Sequence, residues 1–136
     1  MAPKSQEEPV AVQLEAEAWT KIHGEEAERG FLHVVEVYCK WCGASAAIVS
    51  TFKRITLDMP RRKLKFFQIE AIEDIPELAK FMATSKPTFL FYLNGELCET
   101  VEGINAPLIE KFITSLTPEG ELEVEDEGDG DEEEDA

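Results

Sequence analysis

Glu36, Cys39 and Cys42 lie close together in the chain, and their types are suited to thiol chemistry. Cys39-Lys40-Trp41-Cys42 is a C-x-x-C spacing. Two such thiols can pair if their Cβ atoms come within about 3.5–4.5 Å. Cys42 falls at the start of an expected helix, where free N–H groups and positive partial charge favour a nucleophilic thiolate. Lys40 either adds to that field or is a solvated charge. Cys39 closes an expected strand and is read as a buried free thiol, a small apolar residue in its packing. A shifted Cys39/Cys42 pair stays open as the second reading. Glu36 sits inside an apolar run, where burial raises a carboxyl group's pKa. A structural role is the favoured reading of Glu36. Cys98 is expected to act as a small apolar residue on a hairpin. With three cysteines, two histidines and no second ligand pair, the spacing is not read as a metal site, and no cofactor is expected.

The elements that must position these residues follow from periodicity. Residues 10–14 read as a short strand and residues 15–29 as a helix with Ala16, Trp19, Ile22 and Ala27 on its apolar face, stopped by Gly30. Residues 31–38 are too continuously apolar for a surface strand and fit a central one buried on both sides. A helix over 42–58 ends before Pro60, a strand covers 65–71, and a short helix covers 74–82 with Pro76 in its first turn. Strand 88–93 meets Asn94-Gly95, a strong hairpin signal, and returns over 96–101. Residues 107–116 form the closing helix, with Leu108, Phe112, Ile113 and Leu116 as its stripe. The order β-α-β-α-β-α-β-β-α implies an α/β domain with a mainly parallel sheet, helices on both faces and an antiparallel edge.

The segment Val34-Val35-Glu36-Val37-Tyr38-Cys39-Lys40-Trp41-Cys42-Gly43-Ala44-Ser45 resembles the strand-to-helix active site of the thioredoxin family, whose core reads W-C-G-P-C. Ser85-Lys86-Pro87-Thr88-Phe89 resembles that family's cis-proline loop, and Asn94-Gly95-Glu96 its next hairpin turn. Gly103 falls where the family has a glycine beside its groove. The resemblance spans residues 10–117 and implies a thioredoxin fold, a central mixed sheet flanked by helices. It also implies that Cys42 is the nucleophile, that Glu36 is the buried proton acceptor and that Pro87 is cis. Trp41, Gly43, Ala44, Ser45, Lys86, Pro87 and Gly103 would then surround a groove for an extended partner. Three positions depart from the family pattern. Ser45 replaces the resolving cysteine, Ala44 replaces the intervening proline, and Lys86 replaces the usual apolar residue before Pro87. A hydroxyl cannot attack a mixed disulfide to release product, so ordinary dithiol turnover is not expected.

Val101-Glu102-Gly103-Ile104-Asn105-Ala106-Pro107-Leu108-Ile109 is similar to the matching stretch in thioredoxin-like light chains of axonemal outer-arm dynein. It is also similar to thioredoxin modules fused to nucleoside diphosphate kinase domains in sperm and cilia. No kinase domain follows here, and the acidic end favours the resemblance to a stand-alone light chain. That resemblance implies protein partners, namely dynein heavy chain or other axonemal subunits, and a cytoplasmic, axonemal location in a cilium or flagellum.

Charge limits the function classes. The net charge is −16, but twelve of the 29 acids lie between Glu119 and Asp135, where there is no base. The preceding residues balance thirteen bases against seventeen acids, a net −4. Such a surface does not suit nucleic acid, which needs a basic footprint. Residues 1–9 are expected to be flexible, 10–118 to form the domain, and 119–136 to be a disordered acidic tail. Arg61-Arg62-Lys63-Leu64-Lys65 is a solvated loop, or else it meets an acidic partner or that tail. The N-terminus has no apolar signal core and no run spans a bilayer, so membrane association is not expected. An odd, small cysteine count favours a reducing compartment. Two function readings result. One is a docking light chain, non-catalytic or redox-sensitive. The other is a monothiol or shifted-pair thiol–disulfide exchanger.

Overall fold

The central strand is buried because it has neighbours on both edges and cover on both faces. In the computed structural model, which describes residues 11–120, β2 (Leu32–Tyr38) is buried from Leu32 to Val37. It pairs in parallel with β3 (Leu64–Glu70) and antiparallel with β4 (Thr88–Leu93). β1 (Ala11–Gln13) extends the β3 edge in parallel, and β5 (Glu96–Glu102) pairs antiparallel with β4. The five-stranded order is β1-β3-β2-β4-β5. Segment 1–9 and the acidic residues beyond Gly120 lie outside the described residues.

The α1 (Ala47–Asp58) and α3 (Ala106–Leu116) helices cover one face. Their apolar stripes meet Leu32, Val34, Phe66, Phe89, Phe91 and Val101, and Phe52 stacks on Phe66 with ring centroids 3.9 Å apart. Asn105 caps α3 by accepting from the Leu108 N–H at 3.2 Å, an N-terminal donor that has no partner inside the helix. The opposite face is covered by a 3₁₀ helix (Ala16–Lys21) and by α2 (Pro76–Ala79). Trp19, Ile22, Leu78, Leu90 and Tyr92 form its core, and Trp19 Nε1 donates to Glu77 Oε1 at 2.9 Å. At the hairpin turn, Asn94 (φ 54°) and Gly95 (φ 85°) both take the left-handed conformation that a two-residue hairpin loop favours.

Five sequence expectations need correction. The sheet is not mainly parallel with an antiparallel edge: β1–β3 and β2–β3 are parallel, but β2–β4 and β4–β5 are antiparallel, so the central strand itself carries one pairing of each kind. Residues 15–29 are not one helix. After Lys21 the chain turns at Gly24 (φ 101°), whose N–H donates to Gly95 O at 3.0 Å, so docking on the hairpin turn overrides helical propensity. The helix expected from Cys42 begins at Ala47, five residues later. The helix expected over 74–82 keeps only Pro76–Ala79 as α-helix. Beyond it, backbone bonds step by three residues, from Phe81 N to Leu78 O and from Met82 N to Ala79 O. Cys98 is exposed rather than packed as an apolar residue, because β5 is an edge strand buried only at Val101. The other strands and α3 lie within a residue or two of their expected limits.

Candidate functional site

β2 delivers Glu36, Tyr38 and Cys39 to one end of the sheet, and the turn after it delivers Cys42. The Cys39 carbonyl accepts from both the Cys42 N–H (3.1 Å) and the Gly43 N–H (3.0 Å). This closes a tight turn, and Gly43 leaves it with φ 78°. Cys39 is 2% exposed, whereas Cys42 is exposed, and both are free thiols. The Cys42 thiol donates to the Ser85 carbonyl at 3.5 Å, which ties the turn to the loop before β4.

Because α1 starts at Ala47, Cys42 does not stand at a helix N-terminus. The activation expected from that position is absent, and the thiol is instead held above its ordinary pKa. The Cys39 side chain beside it contributes most through a hydrogen bond, followed by desolvation and the charge of Cys39. Gly43 and Ser45 explain the delayed helix. The left-handed Gly43 breaks helical geometry, and the Ser45 N–H is engaged by Glu36 Oε2 at 2.9 Å. Ser45 Oγ then accepts from the Ile48 N–H at 3.4 Å, so the residue in the resolving position supports the first turn of α1.

Glu36 is fully buried. Its Oε1 accepts from Gln68 Nε2 at 2.8 Å, opposite the Ser45 N–H on Oε2. Burial raises its pKa, while the Gln68 and Ser45 hydrogen bonds pull it back. Sequence reasoning missed Gln68, whose only signal was a polar residue within an apolar strand.

Glu36, Ser45 and both cysteines line a cavity of about 240 Å³. Of the expected groove residues, Gly43, Ala44, Ser45, Lys86 and Pro87 reach it, together with Glu36, Cys39 and Cys42. Trp41 does not. It is 69% exposed and lies beside Glu70, Ile72, Asp74 and Met82, where it can meet a partner outside the cavity. Gly103 supports the wall by donating its N–H to Pro87 O at 2.7 Å. Ile104, 47% exposed, also lines the cavity, and sequence reasoning did not assign it there. The expectation of a cis Pro87 is corrected, since no cis peptide bond occurs among the described residues. Trans remains the lower-energy X–Pro isomer, and the bonds on Ser85 O and Pro87 O are made with it in place.

Among the described residues, no three His, Cys, Asp or Glu side chains gather as a metal-binding group, and no helix is long and apolar enough to cross a membrane. The basic loop contacts the end of the domain, where Arg62 Nη2 donates to Thr117 O at 3.4 Å and Pro118 O at 3.1 Å.

The thioredoxin family model matches residues 11–115. The chain is 39% identical over 88 residues to the dynein 14 kDa light chain, flagellar outer arm, of Chlamydomonas reinhardtii, covering 65% of this chain and 67% of that one. It is 42% identical over 82 residues to human thioredoxin domain-containing protein 6, covering 60% of this chain but 24% of that longer one. Crystalline thioredoxin from Trypanosoma brucei brucei superposes with a TM-score of 0.59 at 21% identity, covering 82% of this chain and 94% of that one, a likeness of fold.

Proposed function

The chain belongs to the thioredoxin family, and on that premise we propose that it serves as a thioredoxin-like light chain docked on outer-arm dynein in a cilium or flagellum. The observation that carries this reading is Ser45. The position that would supply the family's second thiol holds a hydroxyl that accepts from the Ile48 N–H, while its backbone N–H is spent on Glu36. A residue used in that way supports the loop and α1 and gives no route for releasing a mixed disulfide. What remains at the surface suits binding. Trp41 and Ile104 are large exposed apolar side chains flanking the Cys42 turn, and such residues anchor protein interfaces. Similarity to a flagellar outer-arm dynein light chain supports axonemal subunits, the heavy chain included, as the partners.

The test is a non-reducing pull-down from ciliated-cell extract with the wild type, Cys42→Ser and a deletion from Glu119. The docking reading expects all three to recover the same dynein subunits without covalent adducts. Dynein subunits recovered by the wild type alone, and only as reducible adducts, would replace docking with redox capture. Recovery of no dynein subunit by any of the three would sink the assignment.

A further inference from the structure

The site holds a second thiol that the docking role does not use. We propose that Cys39 is a relocated resolving cysteine, so that Cys39 and Cys42 form a reversible dithiol–disulfide pair that reduces an accessible disulfide of a small thiol or peptide. The inference does not depend on docking.

Three observations on the same turn support it. The Cys39 carbonyl accepts from the N–H groups of Cys42 and Gly43, at 3.1 and 3.0 Å. A turn closed between its first and fourth residues holds their Cα atoms within about 7 Å, and disulfides need about 4.4–6.8 Å. Both cysteines line one cavity of about 240 Å³. The neighbouring Cys39 side chain is also the largest influence raising the Cys42 pKa. Exposure divides the roles, since Cys42 can be attacked or can attack from solvent, whereas Cys39, at 2% exposure, is shielded from it. Ser45, where the family pattern would place the resolving thiol, is meanwhile fastened to Glu36 and α1.

The chemistry balances without another reactant. The Cys42 thiolate attacks one sulfur of the incoming disulfide, forms a mixed disulfide and expels the first thiolate. The Cys39 thiolate then attacks Cys42 Sγ, forms the Cys39–Cys42 bond and expels the second. Two electrons pass from the cysteine pair to the substrate, and the two cysteine protons end on the two departing thiols. Because Cys42 lacks helix-terminal activation, the first step is slow relative to a thiol at a helix N-terminus.

The experiment uses the full chain carrying Cys98→Ser, which removes the exposed third thiol. The reduced protein is incubated with glutathione disulfide, the remaining thiols are alkylated, and intact mass and tryptic peptides are measured. The proposal expects this parent to lose both thiols without retaining glutathione. Trypsin cleaves after Lys40, between the two cysteines, so the disulfide would join two peptides that separate on reduction. Adding Cys39→Ala should trap glutathione on Cys42, raising the retained adduct about tenfold or more. Adding Cys42→Ser instead should abolish the reaction. The proposal is overturned if the parent keeps the adduct as fully as the Cys39→Ala variant, or if it stays reduced. Should Cys39→Ala fail to fold, the linked tryptic pair decides: its presence supports the relocated pair, and its absence refutes it.

Discussion

Glu36 and His33 lie three residues apart on β2, on opposite faces of the sheet, and both are almost wholly buried, at 0% and 1% exposure. Burial disfavours the charged form of each, so Glu36 is pushed up and His33 down. Their partners differ. Glu36 has a donor on each oxygen, the Gln68 amide at 2.8 Å and the Ser45 N–H at 2.9 Å. His33 has Glu28 on Nε2 at 3.2 Å, while its Nδ1 finds no hydrogen-bond partner among the described residues. Equal burial on one strand therefore has two meanings. At the cysteine end, the buried group holds the backbone of the site loop. At the other end, it is a polar ring set among Phe31 and Phe67 and reached from the rim by Glu28.

The strongest way to break this comparison is Glu36→Ala. It would strip the acceptor from two donors near the site, and a buried unsatisfied donor costs about 1–3 kcal/mol each. We expect a loss of about 2–5 kcal/mol in urea unfolding. A loss below about 1 kcal/mol would mean that other acceptors replace the carboxylate, and the site end would then be no more tightly built than the His33 end.

Legibility in the sequence followed the same division. Glu36 was readable as a buried acid because Val34, Val35 and Val37 around it are apolar, and β2 was readable for the same reason. α3 was readable from its stripe and its Asn105-Ala106-Pro107 start. Periodicity could not show that Ser45 gives its N–H to Glu36, and this displaced the start of the next helix from Cys42 to Ala47. Nor could it show Gly24 docking on Gly95, which ends the first helix early. Both misses are contacts between segments distant or offset in sequence, and local propensity does not register them. Cys98 was misjudged although its edge hairpin was expected, since β5 is exposed at every residue but Val101 and gives the side chain no cover.

A smaller effect sharpens the comparison through pH. His33 titrates below the ordinary histidine value of 6.5 in the fold, so between that lower value and 6.5 the unfolded chain binds more protons than the native one. Stability there rises with pH, and it falls as acid protonates the unfolded imidazole. Glu36 slopes the other way. Its folded pKa lies above 4.5, so the native state binds more protons from 4.5 up to that raised value, and stability declines as pH rises through the window. His33→Leu should remove the first slope and leave the second. Near neutral pH its cost should stay within about 1 kcal/mol, because an apolar side chain of similar size removes a polar group that is only half satisfied. The check is urea unfolding across mildly acidic pH. An unchanged rise of stability with pH up to 6.5 in the variant would assign that slope to groups other than His33.

The smallest effect concerns Glu28, the rim residue through which the His33 end meets solvent. Burial pushes the Glu28 pKa up, but hydrogen bonds to Lys65 and His33 and their charges prevail, leaving it lowered. Lys65 Nζ donates to its two oxygens at 2.8 and 3.0 Å, and both side chains are 40% exposed, so solvent screens the pair. Glu28→Gln should therefore change stability by only about 0.2–1 kcal/mol. Its informative effect falls on the ring. Desolvation lowers the His33 pKa and Glu28 opposes it, so removing that carboxylate's charge should lower the value further. Following the His33 ring signals by NMR across a pH titration reads this directly. A downward move makes Glu28 the counter-charge of a ring otherwise governed by burial. An upward move would mean that Lys65, freed from its partner, no longer repels the imidazolium, and that the rim pair acts on His33 chiefly by placing the lysine.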